Sequence, residues 1–282
     1  MPGTIPRSYL FVPANRPERF DKALSAGAHA VIVDLEDAVP DAEKVEARRA
    51  LANWLSPTKR VFVRVNNAES EWFADDLDVC RADGVDGVVL PKAERVTQIT
   101  HVVDRIGAGK LVIPLLETAM GLYDAVALAK ARQVQRLAFG SIDFQIDLGI
   151  KGEHEELLYF RSHMVLASRL ASLQAPIDGV TTILDDQQQL REDTQRARRL
   201  GFGAKLCIHP KQVASINECF GPNADEIAWA KRVLDAADAA KGAAVAVDGR
   251  MVDRPVVLKA QEILTAAGLR HAGDDRLAGA GT

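Results

Sequence analysis

The chain has 282 residues, and 35 Lys and Arg against 39 Asp and Glu give a formal net charge of −4. A composition of 48% apolar and 26% charged residues is that of an ordinary globular protein and excludes a disordered or fibrous one. The small acidic excess argues against a nucleic acid or an anionic membrane bound through bulk charge, so we expect neither as a partner.

The cysteines and the apolar segments indicate the cellular setting. The three cysteines, Cys80, Cys207 and Cys219, have neither CxxC spacing nor histidines at ligand spacing, which favours reduced thiols over a disulfide scaffold or a zinc site. The longest apolar stretch, 111–129, is interrupted by Glu117 and Asp124, so no membrane span is predicted. We therefore expect a soluble cytoplasmic protein.

Short β-branched runs recur along the chain, and each is followed by a longer amphipathic segment. Most of the runs are apolar throughout, which is typical of parallel strands covered on both faces. In chain order the eight runs are Tyr9–Val12, Ala30–Leu35, Val61–Val65, Gly87–Leu90, Leu111–Leu116, Leu137–Gly140, Ile177–Val180 and Ala204–Ile208.

The segments between these runs contain residues that typically begin or end helices. Pro17 fits a first helical turn and Gly27 a helix end, and Asp41 is a candidate cap for a helix that continues to Trp54. The other predicted helices are 71–81, 95–106, 121–131, 155–173 and 185–200, while 144–154 is predicted to be a rim loop. Eight βα alternations over roughly 210 residues predict an α/β fold of the TIM (β/α)8 barrel type. An open doubly wound sheet is the alternative, because strand order is not visible in the sequence.

Three further helices are predicted after the eighth strand, at 211–219, at 224–241 and from Pro255 to about Ala267. We therefore place a barrel domain at residues 1–220 and a C-terminal helical extension at 221–282. The Gly- and Ala-rich tail from about residue 272 is expected to be disordered.

Polar residues end most of the predicted strands. In a barrel these positions lie on the catalytic face, whereas the opposite face is structural. The polar strand ends are Asp34, Glu36 and Asp37, then Arg64, Lys92, Glu117, Asp143 and His209. Since one such residue is often only a helix cap, it is their convergence on one rim that indicates a site.

Glu117 and Asp143 follow adjacent strands, so both carboxylates could face one point above the barrel. Two carboxylates that leave the other positions to water and substrate suit Mg²⁺. The alternative is structural, with Glu117 capping the next helix and Asp143 forming a local salt bridge.

Arg64 lies within an apolar strand, and a buried guanidinium needs an anionic partner from the protein or from a ligand. The same reasoning applies more weakly to Lys92. Asp34, Glu36 and Asp37 are too close in sequence to be free carboxylates in one dry pocket, so at least one of them should pair with Arg64 or Lys92. The Gly107–Lys110 run is not a phosphate loop, because it lacks the GxxxxGK[ST] spacing and precedes a strand.

Together, these motifs resemble the citrate lyase β-subunit family, the CitE-like branch of the HpcH/HpaI aldolase superfamily, which includes malyl-CoA and citramalyl-CoA lyases. The resemblance covers roughly residues 7–268 with the motifs in the right order. The motifs are 8–17 (SYLFVPANRP), 34–39 (DLEDAV), 64–66 (RVN), 90–92 (LPK), 116–118 (LET), 140–143 (GSID) and 248–255 (DGRMVDRP).

The resemblance implies a TIM barrel that binds Mg²⁺ and cleaves a 3-hydroxyacyl thioester between C2 and C3. It assigns Glu117 and Asp143 as metal ligands and Arg64 as the group that contacts the thioester oxygen. Lys92, Glu36 and Asp37 would support that arginine and the pocket. Asp253 resembles an acid that reaches a neighbouring subunit's site, which implies a homo-oligomer, commonly a trimer.

Several readings of the function remain at this stage. The leading one is a free-standing Mg²⁺-dependent lyase for citramalyl-CoA or malyl-CoA. The nearest alternative is the citryl-lyase subunit of a citrate lyase complex, whose substrate is carried by an acyl carrier protein. More distant alternatives are an aldolase for free 2-keto acids and a non-catalytic binding protein on a degenerate barrel.

Overall fold

The computed structural model describes residues 5–240 and 245–269. Within the first range, eight parallel strands pair in chain order and close into a barrel, because β1 also pairs with β8. The structure thus confirms the TIM barrel and excludes the open sheet. The strands are β1 (Ser8–Pro13), β2 (Ala30–Asp34), β3 (Val61–Arg64), β4 (Val85–Leu90), β5 (Leu111–Leu116), β6 (Ala138–Phe139), β7 (Ile177–Asp178) and β8 (Ala204–Cys207).

The uniformly apolar strands follow from burial of both strand faces. Alternate residues such as Tyr9, Ile32 and Phe62 fill the barrel interior, while their neighbours pack outward against the helices in the larger core. The helices of this part are α1 (Phe20–Leu24), α2 (Lys44–Trp54), α3 (Phe73–Val79), α4 (Val96–Ile106), α5 (Ala119–Tyr123), α6 (Ala125–Ala129), α7 (Ser141–Leu148), α8 (Leu158–Leu170), α9 (Gln187–Leu200) and α10 (Pro210–Phe220).

Two predicted elements are wrong in detail. The single helix expected at 121–131 is two short helices, α5 and α6, which are interrupted at Asp124. The rim loop expected at 144–154 instead begins within α7, which ends at Gly149 in a left-handed conformation (φ 69°). Glycine at that position ends a helix without steric cost, so Gly149 is a helix stop rather than a sign of a long loop.

Arg136 closes the barrel interior at the N-terminal end of the strands. Its fully buried guanidinium donates to the carbonyls of Pro6 and Ala175, both at 2.7 Å, and stacks over the ring of Tyr9. The barrel interior is therefore filled by side chains at this end.

The chain divides into two compact units between Phe220 and Gly221. The second unit contains α11 (Ala224–Ala240), a hairpin of β9 (Val245–Val247) and β10 (Arg250–Val252), and α12 (Arg254–Ala266). It has a small apolar core of its own. The hairpin turn is Asp248-Gly249, with φ of 50° and 73°, as a type I′ turn requires. The tail for which we predicted disorder lies outside the described residues.

No helix within the described residues is both long enough and apolar enough to cross a membrane.

Candidate active site

A cavity of about 460 Å³ opens where the barrel strands end. It brings together three of the residues singled out from the sequence as the chemical core, namely Glu117, Asp143 and Arg64. The whole lining is Phe11, Pro13, Asp34, Asp37, Ala38, Arg64, Leu115, Glu117, Phe139, Gly140, Ser141, Ile142, Asp143, Val180, Leu206 and Ile208.

Glu117 directly follows β5 and points into the cavity. Its side chain is buried, and Oε1 accepts a hydrogen bond of 2.8 Å from the backbone N–H of Lys92. The other oxygen lies over Gly140, where an added Cβ would come within 2.4 Å of Oε2. The helix that follows is capped by Thr118, whose Oγ1 accepts from Gly121 N at 3.1 Å. Glu117 is therefore not the helix cap of the structural alternative.

Asp143 lies in the first turn of α7 and is partly exposed to the cavity. No Lys or Arg within the described parts of the chain forms a salt bridge with it, so the local ion pair of the structural alternative is absent there. Both predicted metal carboxylates are thus held beside one cavity without a cation bound directly to either.

Burial, and then the charge of neighbouring carboxylates, raises the pKa values of three acids of the site. Burial, with the nearby charges of Glu36 and Asp143, raises the pKa of Glu117 to about 8. Burial is also the main cause that raises the pKa of Glu36 to about 7, and burial together with Asp37 raises the pKa of Asp143. The site therefore concentrates more negative charge than its own cations neutralise.

Arg64 ends β3, and its guanidinium is held by carboxylates from the end of β2. Nε and a terminal nitrogen donate to the two oxygens of Asp34, each at 2.7 Å, in a bidentate pair. The other terminal nitrogen lies 3.1 Å from Glu36 Oε2 and 3.4 Å from Asp37 Oδ2. Burial alone would lower the pKa of Arg64, but these three carboxylates hold it above its usual value.

Asp34 is the principal partner of Arg64, which confirms the expectation that at least one of Asp34, Glu36 and Asp37 pairs with this arginine or with Lys92. Its two oxygens also accept from the backbone N–H groups of Glu36 (3.0 Å) and Ala38 (3.2 Å), which fixes the carboxylate. Asp34 and Arg64 are register partners on neighbouring strands. That adjacency was the available signal, since consecutive barrel strands place their ends side by side.

Lys92 and Glu36 lie beside the main cavity, not in its lining. Lys92 Nζ is 3.7 Å from Glu36 Oε1, and both side chains face a smaller cavity of about 360 Å³ that Asp37 also lines. Lys92 adopts a left-handed conformation (φ 46°), which is unfavourable for a non-glycine residue. This strained backbone conformation places the N–H of Lys92 within hydrogen-bonding distance of the Glu117 carboxylate.

A buried network that sequence reasoning missed fixes the chain after β3. The Asp76 carboxylate accepts from Asn66 N at 2.9 Å, from Asn66 Nδ2 at 2.7 Å and from Arg48 Nε at 2.8 Å. Asn66 Nδ2 also donates to the carbonyl of Leu35, 3.1 Å away. The ends of β2 and β3 are thereby tied together, which supports the pairing of Asp34 with Arg64.

Asp253 and His209 have local structural contacts. Asp253 belongs to the second unit and caps α12 by accepting from Val256 N at 3.1 Å. His209 Nδ1 accepts from Lys211 N at 3.1 Å near the start of α10. His209 does not line the main cavity, whose lining runs from Phe11 to Ile208.

No group of three or more His, Cys, Asp or Glu side chains within residues 5–240 and 245–269 is arranged to hold a metal ion. A metal in the main cavity would therefore take two protein carboxylates and complete its coordination with water or substrate. Mg²⁺ commonly binds in that way.

The chain was compared with known proteins. A family profile described as HpcH/HpaI aldolase/citrate lyase matches residues 7–210. The citrate lyase subunit beta-like protein of Deinococcus radiodurans is 39% identical, covering 94% of this chain and 98% of that protein. The (3S)-malyl-CoA thioesterase of Cereibacter sphaeroides is 32% identical over 93% of this chain and 94% of its own length.

Among solved structures, the crystal structure of protein CitE from Mycobacterium tuberculosis is similar with a TM-score of 0.83 and 35% identity. The match covers 93% of this chain and 98% of that one. The CitE structure is a complex with magnesium, acetoacetate and coenzyme A.

Proposed function

The chain belongs to the HpcH/HpaI aldolase/citrate lyase family, and on that premise we propose that it is a Mg²⁺-dependent carbon–carbon lyase. The substrate class is a 3-hydroxyacyl-CoA such as citramalyl-CoA or malyl-CoA, and the products are acetyl-CoA and pyruvate or glyoxylate. The observation that carries the proposal is that Glu117, Asp143 and Arg64 line one cavity at the catalytic end of the barrel.

The residues of the cavity fit a magnesium ion. Glu117 and Asp143 supply hard oxygen ligands, and around them five carboxylates (Asp34, Glu36, Asp37, Glu117 and Asp143) face only two cations, Arg64 and Lys92. Burial, followed by the charges of Glu36 and Asp143, raises the pKa of Glu117 to about 8, and a divalent cation would offset those charges. When bound, Mg²⁺ would act as a Lewis acid toward the carboxylate and hydroxyl oxygens of the substrate.

Arg64 is placed to stabilise the charge that develops on the thioester. As the C2–C3 bond breaks, the hydroxyl at C3 gives its proton to water and C3 becomes the carbonyl carbon of the 2-keto acid, while the bonding electrons pass to C2 and the thioester oxygen. Hydrogen bonds to Asp34 and Asp37 use three of the five N–H groups of Arg64, so two donors remain for that oxygen. Because the carboxylates hold the guanidinium in place, it is preorganised for the developing negative charge.

Glu36, Asp37 and Lys92 are proposed as supporting groups. Glu36 and Asp37 fix the third side of the Arg64 guanidinium, and Lys92 binds Glu36 through its side chain and Glu117 through its backbone. These contacts link the arginine that faces the thioester to the carboxylate that holds the metal.

The second unit is proposed to complete the reaction in a homo-oligomer, as a trimer or a multiple of it. In this proposal Asp253 of one subunit returns a proton to C2 of the thioester in a neighbouring subunit, which yields the acetyl group. The residue is exposed at the start of α12, where a partner subunit could approach it.

The cytoplasm is the proposed location. The three cysteines are free and buried, as expected in a reducing compartment.

We expect the purified protein to cleave citramalyl-CoA or malyl-CoA when Mg²⁺ is present and to stop when EDTA is added. Release of the 2-keto acid, followed by reduction with a coupled dehydrogenase, measures the reaction, and excess Mg²⁺ should restore it. Undiminished cleavage in EDTA would contradict the metal assignment. Failure to bind either Mg²⁺ or any short-chain acyl-CoA would favour the non-catalytic alternative.

Two enzymatic alternatives concern the carrier and the chemistry. A citryl-lyase subunit would prefer citryl groups on an acyl carrier protein, as the name of the Deinococcus radiodurans relative allows. Hydrolysis of the thioester is the activity named for the Cereibacter sphaeroides relative. The products distinguish these reactions, since only hydrolysis releases free CoA.

Mixing two inactive variants tests the role of Asp253 across subunits. We expect Asp253→Asn to lose at least about 10²-fold in rate, the scale of a general acid–base group, and to recover partly when mixed with Arg64→Lys subunits. Asparagine keeps the helix cap, so folding should be preserved. Absence of complementation despite verified subunit exchange would count against a role in a neighbouring site.

A further inference from the structure

The two segments that supply the proposed metal carboxylates are joined at two points. The first is the close approach of β5 and β6, where Gly140 N donates to the carbonyl of Leu116 at 3.0 Å. Because Gly140 has no side chain, the Glu117 side chain can lie against the chain that enters α7, where an added Cβ would come within 2.5 Å of the Glu117 Cβ. This contact holds Glu117 beside the start of the helix that carries Asp143.

The second point is a hydrogen bond that reaches the chain just after Glu117. Asp147 Oδ2 accepts from the backbone N–H of Ala119 at 2.7 Å, across 28 residues of sequence. Ala119 is the first residue of α5, so its N–H has no acceptor within its own helix. Thr118 caps the same helix but accepts from Gly121 instead. The acceptor for Ala119 therefore comes from α7, a helix that follows a different strand.

Asp147 and Asp143 lie about one helical turn apart in α7. Residues four positions apart on an α-helix share a face, so Asp147 projects on the side of α7 that carries Asp143. Ala119, in turn, follows Glu117 after a single intervening residue. The hydrogen bond between Asp147 and Ala119 thus fixes the rotation of α7 relative to the segment of Glu117, and with it the spacing of the two carboxylates.

We propose that Asp147 is a positioning residue that sets the spacing of Glu117 and Asp143 for a single Mg²⁺ ion. It lies outside the lining of the main cavity and acts through Ala119, without binding the metal or the substrate itself. The inference rests on the proposed function and adds to it a residue beyond the metal ligands. Groups that hold metal ligands in place typically change metal affinity or activity by about 10–100-fold when they are replaced.

Three roles for Asp147 predict different results. If Asp147 only caps α5, its loss should lower the melting temperature and leave the affinity for Mg²⁺ unchanged. If its charge attracts the cation, asparagine should be as harmful as alanine. If it positions the carboxylates, the affinity depends on the hydrogen bond, which asparagine can still accept through its side-chain oxygen.

Calorimetric titration of the purified protein with Mg²⁺ separates these roles, because its readout is metal binding. We expect Asp147→Ala to weaken Mg²⁺ binding by about 10–100-fold and Asp147→Asn to bind close to the wild-type value. Asp186→Ala is the matched control, because Asp186 is also an exposed carboxylate that accepts a backbone N–H, from Gln189 at 2.9 Å at the start of α9. The control should lose a helix cap and keep its affinity for Mg²⁺.

Removing the donor tests the same hydrogen bond from its other end. Proline is tolerated at the first position of a helix and has no N–H, and the extended backbone of Thr118 (φ −133°, ψ 158°) suits a residue that precedes proline. We expect Ala119→Pro to weaken Mg²⁺ binding as much as Asp147→Ala does. The double variant should weaken it no further, because both changes remove the same hydrogen bond.

Mg²⁺ binding by Asp147→Ala that is as tight as that of Asp186→Ala would overturn the inference. An equal loss of affinity in Asp147→Asn and Asp147→Ala, or additive losses in the double variant, would also overturn it. Thioester cleavage judges the proposed function separately. If Asp147→Ala binds Mg²⁺ more weakly than the wild type but no thioester is cleaved by either, the lyase proposal fails and the positioning role stands. If the wild type cleaves the thioester and Asp147→Ala binds Mg²⁺ normally, the positioning role alone fails, and a wild type that binds no Mg²⁺ contradicts both.

Discussion

Replacing Glu117 with glutamine will remove Mg²⁺-dependent activity while leaving the fold intact. Glutamine retains an oxygen that accepts the N–H of Lys92, so the 2.8 Å hydrogen bond survives, but the charge on the metal side is lost. We expect kcat/KM to fall by at least about 10²–10³-fold, the scale for removal of a preorganised electrostatic group. The stabilisation that Mg²⁺ gives to the wild-type protein in thermal melts should also disappear.

The same substitution should stabilise the metal-free protein. The pKa of Glu117 determines how this stabilisation changes with pH. Burial raises that pKa from 4.5 to about 8, so the unfolded chain releases the proton at a lower pH than the folded protein does. The wild-type free energy of unfolding therefore falls as pH rises from about 4.5 to 8. In EDTA, the advantage of Glu117→Gln should grow over this interval and reach on the order of 1–3 kcal/mol.

Urea denaturation at pH 5 and pH 8 measures this effect. Asp104→Asn is the control for removing a carboxylate, because Asp104 forms an exposed pair with Arg132 that should contribute about 1 kcal/mol or less. A Glu117→Gln protein that keeps the wild-type rate and the Mg²⁺-dependent increase in melting temperature would contradict the metal assignment.

Replacing Arg64 should impair both activity and stability, and the two losses are separable. We expect Arg64→Lys to reduce kcat/KM by about 10²–10³-fold. The single ammonium group of lysine cannot form the bidentate pair with Asp34 and also donate to the thioester oxygen. Arg64→Met should also lower the free energy of unfolding by about 3–5 kcal/mol, since the buried carboxylate of Asp34 loses its partner.

A double variant separates structure from catalysis. Arg64→Met combined with Asp34→Asn removes both charges, so part of the stability should return while activity stays low. Arg105→Met is the control for losing an ion pair, because its contact with Asp78 is exposed and should contribute about 1 kcal/mol or less. Full activity of the double variant would show that Arg64 serves only to neutralise Asp34.

The barrel was predictable from sequence because its determinants are local. Eight apolar runs punctuated by helix signals established the strand number, and polar residues such as Glu117 and Arg64 marked the end that carries the cavity. Strand order was not visible, and the pairing of β8 with β1 supplied it.

The features that the sequence did not predict depend on contacts between distant segments. The link from Asp76 through Asn66 to Leu35 joins three separate elements, and no local pattern reports it. The cavity lining also required a closed barrel, since Phe11 and Ile208 line it together only because β1 meets β8. The β9–β10 hairpin was the exception, because the Asp248-Gly249 turn was a local signal that the helical expectation for this region overlooked.

Simultaneous measurement of acetyl-CoA, free CoA and 2-keto acid tests the lyase proposal most directly. With citramalyl-CoA, Mg²⁺ and the wild-type protein, we expect acetyl-CoA and pyruvate in equal amounts and no early release of free CoA. Formation of free CoA and citramalate without pyruvate would contradict the account, because the enzyme would then hydrolyse the thioester and leave the C2–C3 bond intact.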